Sequence, residues 1–311
     1  MRPLYQGGAL ITLGALLLTK CTNQTIRAAE KYPAEVDIPF TLTAQNNIVI
    51  PAMLNGRDAL NLMLHTAVNE VALTEDAVRK SKSIKFSGKD KVKSWGGSSD
   101  ARFSKGNRIQ IGALKRSNIN IWEDKNSGKD TDGKFGLDFF QNRIVEIDFD
   151  QRRIALHAKL PLKAEKYERL KIENRNGELM VQGSCLIDGQ TYTNKFLLHS
   201  GYSGAILLDD AFAASAGIEG KIKITDESSL KDSFGNMIKV KKGILPVFAL
   251  GSSKLPNVPV GFFAGGIGTQ KLSILGCEIL TQFNLIFDIA HKDLYLAPRH
   301  LERPVESNSA L

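Results

Sequence analysis

Two histidines carry the most distinctive chemistry in this sequence. His65 opens His65-Thr66-Ala67 and His199 opens His199-Ser200-Gly201, so each imidazole is followed by a hydroxyl residue and then a small one. Imidazole titrates near neutral pH and can serve as base, acid, hydrogen-bond partner or metal ligand. Two rings side by side are expected to settle with one neutral and one protonated near neutral pH, because two imidazolium ions repel. Such a pair could act as base and acid around one water. It could also supply two of the three or four ligands that zinc takes. The other histidines, His157, His291 and His300, stand near neither loop, so no third ligand is evident. The ordinary alternative for each is a buried histidine that only satisfies its own hydrogen bonds.

The two loops occupy matching places in an internal duplication. Leu60–Val78 (LNLMLHTAVNEVALTEDAV) aligns without gaps on Asn194–Phe212 (NKFLLHSGYSGAILLDDAF), which puts His65 on His199, 134 positions later. Ser94-Trp95-Gly96 matches Ser233-Phe234-Gly235, and Ile111-Gly112 matches Leu250-Gly251, both at a spacing of 139. Phe135–Leu156 matches Leu275–Leu296 at 140, with Gly136 on Gly276 and Asp148 on Asp288. The order and near-constant spacing describe two copies of one unit.

Each copy reads mainly as strands. Ile48–Met53, Leu60–Leu64, Ile109–Ile111, Ile119–Trp122 and Ile144–Phe149 are short, apolar or β-branched, and separated by Gly, Asn and Asp. Asn55-Gly56 and Asp188-Gly189 are hairpin signals ahead of the two histidine strands. One short helix is expected after each loop, Glu75–Lys80 capped by Thr74 and Asp210–Ala216 capped by Asp209, with Gly217 ending the second.

Composition sets the limits around this body. The chain has 311 residues, 42% apolar and 24% charged, which fits one large or two ordinary globular domains. Gly7–Thr19 is an apolar run of 13 residues, too short to span a membrane and suited to a signal-peptide core. It ends in Leu18-Thr19-Lys20-Cys21, which resembles a bacterial lipoprotein cleavage box with Cys21 as the lipidated residue; Lys20 departs from the small residue preferred there. Cleavage near Ala28 or Ala29, or an uncleaved anchor, are the alternatives, and all three export the protein to the cell envelope. The net charge of +8 is spread out, with a dense stretch at Arg79–Lys93. Phe86 is the one aromatic in that stretch, so it reads as a solvated face and not as a nucleic-acid site. The membrane is expected to be met through the leader or lipid anchor.

This organisation resembles the aspartic peptidases of the pepsin and retropepsin type, specifically the bacterial double-unit members, over residues 36–298. In that family each half has an apolar strand ending in Asp-Thr-Gly or Asp-Ser-Gly, then a short helix and a flap hairpin. An apolar-apolar-Gly segment later supports the active-site loop. Phe135-Gly136 and Ile274-Leu275-Gly276 stand at those supports, and the flaps fall around Trp95-Gly96-Gly97 and Phe234-Gly235-Asn236. The resemblance implies a mainly all-β, pepsin-like bilobal architecture of two retropepsin-like barrel units related by a pseudo-twofold axis. Its parts would be a leader at 1–20, a linker at 21–35, an N-terminal unit at 36–158, a link at 159–170, a C-terminal unit at 171–298 and a tail at 299–311.

Both catalytic aspartates of the family pattern are absent, replaced by His65 and His199. Thr66, Ser200 and Gly201 keep the pattern, while Ala67 replaces a glycine. The expected function is therefore a non-proteolytic, monomeric binding protein. Its inter-unit cleft would hold an extended peptide or another exported polymer, with Trp95, Gly96, Phe234 and Gly235 at the flaps and no cofactor. The alternative is a hydrolase using the His65/His199 dyad, with or without zinc. Cys185 and Cys277 are expected to be buried thiols, although an exported protein could pair them. Asp148 and Asp288 end matching strands before turns and are expected to be structural. Glu70 is a spare carboxylate beside the first loop.

Overall fold

Short apolar strands divided by turn residues leave their backbone N–H and C=O groups to pair with neighbouring strands, and the chain resolves into two sheets. The structure, a computed structural model, describes residues 35–299 except 95–96, 126, 176, 232–236 and 264–269. The described residues fall in a single compact unit. Among them no helix is long and apolar enough to cross a membrane.

The first sheet has eight strands, all from the first copy, with Asp58–Leu64 and Gly133–Phe135 side by side near its middle. The second has thirteen strands, and part of it is shared between the copies. Glu35–Pro39, Arg153–His157 and Ile144–Asp148 continue directly into Phe283–Asp288, Asp293–Pro298 and Glu168–Arg175. The join is the pairing of Val145, Glu146 and Ile147 with Phe287, Ile286 and Leu285. The result is mostly β, with two barrel-like parts stitched through one common sheet.

The turn signals act as expected. Asn55 and Gly56 have φ of 51° and 69°, and Asp188 and Gly189 have 50° and 74°, the left-handed region such hairpins require. Thr74 accepts from the Ala77 N–H and Asp209 from the Phe212 N–H, so both helices start at their caps. Gly217, at φ 60°, ends the second helix, but a further turn at Ile218–Lys221 follows it.

Two expectations need correction. Ile109–Ile111 is only the end of the strand Gly97–Ile111, whose exposed polar residues conceal its length in the sequence. The gapless alignment of the histidine segments also fails past the loops. Leu62 and Phe196 pair with Gly133 and Ser273, a spacing of 134, whereas Leu73 and Leu207 pair with Gly133 and Ile274, and Ala72 with Lys134. Lys134 corresponds to Ile274, so Ala72 corresponds to Leu207, one residue further on: the second loop carries one extra residue. The caps agree, Thr74 matching Asp209.

The stretch between the copies is tied to the shared sheet. It forms a 3-10 turn at Leu162–Lys166, in which Ala164 packs with Ile144, Ile286 and Tyr295. Lys163 donates to Glu146, a fully buried carboxylate that also meets His157 at 2.8 Å. Burial would raise Glu146, but the bonds from His157 and Lys163 outweigh it and hold it below its ordinary value.

Candidate functional site

Each histidine ends a strand that is locked in place by a parallel neighbour. Asp58–Leu64 runs beside Gly133–Phe135, and Gln190–Leu198 beside Ser273–Leu275. The His65 N–H donates to the Phe135 carbonyl at 2.9 Å, and the His199 N–H to the Leu275 carbonyl at 2.9 Å. The chain then turns back, Val68 donating to the His65 carbonyl at 3.3 Å and Tyr202 to the His199 carbonyl at 3.0 Å. Gly136 and Gly276 press against these turns: a Cβ on either would collide with the carbonyl of Val68 or of Gly204. Glycine is required at the supports by this close approach.

The loops are cross-linked by their hydroxyls. Thr66 Oγ1 donates to the Leu198 carbonyl at 2.6 Å and accepts from the Ser200 N–H at 3.0 Å. Ser200 Oγ reciprocates, donating to the Leu64 carbonyl at 2.7 Å and accepting from the Thr66 N–H at 3.0 Å. All four bonds are buried, so the two loops are held directly to each other across the crossing. Asn47 adds a one-sided clamp that the sequence reading missed. Its Nδ2 donates to the Ser200 carbonyl at 3.0 Å, beside the Cys277 thiol, which donates to the same oxygen at 2.8 Å. In the sequence Asn47 looks like any turn residue, and the contact comes from 153 positions away.

The imidazoles emerge side by side from this crossing. His65 is 8% exposed and His199 7%, with ring centroids 4.4 Å apart and planes tilted by 57°. The Ala67 N–H donates to His65 Nδ1 at 3.3 Å, which leaves the proton of the neutral ring on Nε2. That Nε2 lies over Gly201, where any Cβ would overlap the ring. Ala67 faces elsewhere: it packs against the apolar cluster of Met180, Leu197, Leu207, Val240 and Ile274. The small-residue asymmetry of the motifs follows, because only the second loop carries an imidazole on its back.

Both rings are held neutral. Burial, opposed in part by a backbone hydrogen bond and helped by the charge of Lys134, pushes His199 down to about 4. Burial, then the facing His199, then Lys134 hold His65 well below its ordinary value. Desolvation and the nearby ammonium act on both rings, and both oppose the one protonated ring that the sequence leads one to expect near neutral pH. Lys134 itself is paired with Asp124 at 2.7 Å, their side chains 12% and 4% exposed, and Ser127 donates to Asp124 at 2.8 Å.

The other candidate residues fall away from this crossing or outside the described residues. Trp95, Gly96, Phe234, Gly235, Asn236, Cys21 and His300 belong to the latter group, although the hairpin arms Gly88–Ser94 and Gly97–Ile111, and Ile224–Lys231 and Met237–Leu250, are described. Cys185 and Cys277 are free, buried thiols, pushed up to about 12 by burial. Asp148 accepts from the Gln151 N–H and Asp288 from the His291 N–H, both holding turns. His157 and His291 meet carboxylates of the sheet, Glu146 and Asp288. Glu70 is exposed beside the first loop. Among the described residues no group of three or more His, Cys, Asp or Glu side chains is placed to hold a metal, so His65 and His199 stand as a two-donor set.

No family model matches this chain, and no curated protein matches it. Among solved structures, the aspartic proteinase from Irpex lacteus superposes with a TM-score of 0.57 at 14% identity, covering 86% of this chain and 98% of that one. The likeness establishes the fold, a bilobal pepsin-like β architecture.

Proposed function

We propose that the chain is an exported, non-proteolytic binding protein that uses an aspartic-peptidase-like fold to hold an extended peptide or similar polymer across the loop crossing. The observation that carries this reading is the state of the histidine pair. Acid-peptidase chemistry needs a water placed between a base and an acid, a task that two carboxylates sharing one proton perform. Here two neutral rings touch at 4.4 Å, which leaves no layer of water between their faces. Burial disfavours a second proton on either ring at neutral pH, and neither ring brings the negative charge that a carboxylate would. The rigid hydroxyl cross-link still supports the pair as a surface for hydrogen bonding and stacking.

The alternative is a His-dependent hydrolase, and the low pKa of His199 restricts it. Near pH 4 that ring takes a proton and an acid–base pair exists, so hydrolysis by this site would appear only in acid. Zinc bound to the two rings would need at least one further ligand from water or substrate. The test is incubation of the mature protein with a mixed peptide library from about pH 3 to pH 8, with and without zinc, beside His199→Ala. Retention of peptides without cleavage at every pH is expected. Cleavage that vanishes in His199→Ala would overturn the proposal. Mass analysis of the N-terminus from the native host separates lipidated Cys21 from cleavage near Ala28.

A further inference from the structure

Away from the crossing, three segments of the first copy meet around the Asn55-Gly56 turn. Asn55 Nδ2 donates to Asn107 Oδ1 at 3.1 Å and to Ser83 Oγ at 3.3 Å, and Asn55 Oδ1 accepts from the Arg108 N–H at 2.8 Å. Asp58 fixes the loop that follows the first helix. It accepts from Ser81 Oγ and Ser83 Oγ at 2.5 Å each, and from the Lys82 and Ser83 N–H groups at 3.1 and 3.0 Å. Burial would raise its carboxyl, but these bonds outweigh it and push it down to about 2. The Lys105 N–H donates to Ser87 Oγ at 3.3 Å and ties the third segment to the same loop.

What this knot presents outward is cationic. Arg57, Lys82, Lys85, Lys105 and Arg108 are all exposed, and among the described residues none of them forms an ion pair. The Arg108 guanidinium lies against the hairpin tip, 2.9 Å from where a Cβ on Gly56 would stand. Asp58 is the one acid within 55–58, 81–87 and 105–108, and its oxygens are turned to the loop. The second copy does not repeat the feature. Its Asp188-Gly189 turn is followed by Gln190, and its helix Asp210–Ser215 by Ala216-Gly217-Ile218. Lys89, Lys91 and Lys93 stand apart from this group, on the edge strand Gly88–Ser94, where lysine guards against strand-to-strand association. The five cations have no such task, and gathering them without counter-charge costs the fold some self-repulsion. An external polyanion would relieve it.

We infer that this end of the first copy docks on an anionic lipid surface, with the five cations set against headgroup phosphates. Exposed cations drawn from three segments suit many anions spread over a surface better than one enclosed ion. The Phe86 ring is covered by the Arg102 guanidinium at 4.0 Å, so it is not free to stack on a nucleic-acid base. The inference rests on the export proposed above, which sets the protein beside a membrane, and is independent of the histidine pair. It gives the membrane a second contact besides the leader or lipid anchor.

The test places the full chain on vesicles of phosphatidylcholine, alone or mixed with phosphatidylglycerol, and follows acylation of individual lysines by mass spectrometry. On the anionic vesicles Lys82, Lys85 and Lys105 should react about tenfold more slowly than on the neutral ones, while the exposed Lys254 of the second copy keeps its rate. The protection should fade as salt is added. Arg57→Glu with Lys82→Glu and Arg108→Glu reverses charge at exposed positions and should abolish the protection of Lys85 and Lys105. If that variant misfolds, Arg57→Gln with Lys82→Gln should still weaken the protection. Equal rates on both kinds of vesicle, or full protection in the variants, would overturn the inference and leave peptide retention at the crossing untouched. Protection by soluble polyphosphate but not by the anionic vesicles would also overturn it, in favour of a polymer ligand.

Discussion

At the scale of single residues, the pair is defined by what surrounds two imidazoles. Burial pushes His199 down to about 4 in the folded protein, while an unfolded chain binds a proton near the ordinary 6.5. Between those values the unfolded state carries more protons, so stability should be complete above about pH 6.5 and fall as the pH drops toward 4, by on the order of 3 kcal/mol for this ring. Urea melts of the wild type and of His199→Gln across this range check it, and the variant should lose part of the slope, His65 supplying the rest. Gly201 offers a second residue-scale prediction. A methyl there overlaps the His65 ring, so Gly201→Ala should cost about 1–3 kcal/mol by overpacking. Ala67→Gly should cost less, because it only withdraws a methyl from the edge of an apolar cluster. Denaturant melts of both variants decide whether the asymmetry of the two motifs is set by packing.

At the scale of elements, the hydroxyl cross-link is the unit that aligns the two strands. Thr66→Ala leaves the Leu198 carbonyl and the Ser200 N–H buried without this partner, and about 1–3 kcal/mol should be lost for each. Thr66→Ser should restore most of the loss, since only the hydroxyl is needed; melts of the pair test this. Much of this scale was legible in the sequence. The His loops, Gly136 and Gly276, the Asn55-Gly56 and Asp188-Gly189 turns and both helix caps are local signals, and the duplication repeats each in order. The extra residue in the second loop left one trace that the gapless alignment passes over, the caps Thr74 and Asp209, which stand 135 apart where the histidines stand 134; the strand pairing fixes the shift. Asn47 was hidden because its partners, Ser200 and Cys277, come from the other copy. Lys134 did leave a trace: a charged residue stands where the repeat has Ile274.

At the scale of the molecule, two β-rich halves share one sheet, and the connecting turn is tied to it by the packing of Ala164 and by Lys163, which meets the buried Glu146. Glu146→Ala would take from His157 and Lys163 the carboxylate they share, leaving Lys163 with Asp148 at 3.6 Å, and should cost about 1–2 kcal/mol, because Lys163 is part-exposed. Limited trypsin digestion should then cut first at Lys159–Lys166, and wild-type cleavage elsewhere would count against the tether. The whole-chain account is a pepsin-like fold in which two buried imidazoles, 4.4 Å apart, stand at the crossing of the loops and are pushed toward the neutral form by burial. The measurement that meets this claim most directly is an NMR titration of the His65 and His199 ring nitrogens in the intact mature protein. Both rings should read as neutral at pH 7, with His199 taking its proton near pH 4. A ring protonated at pH 7, or one proton shared between the two, would contradict the account and return the pair to acid–base chemistry.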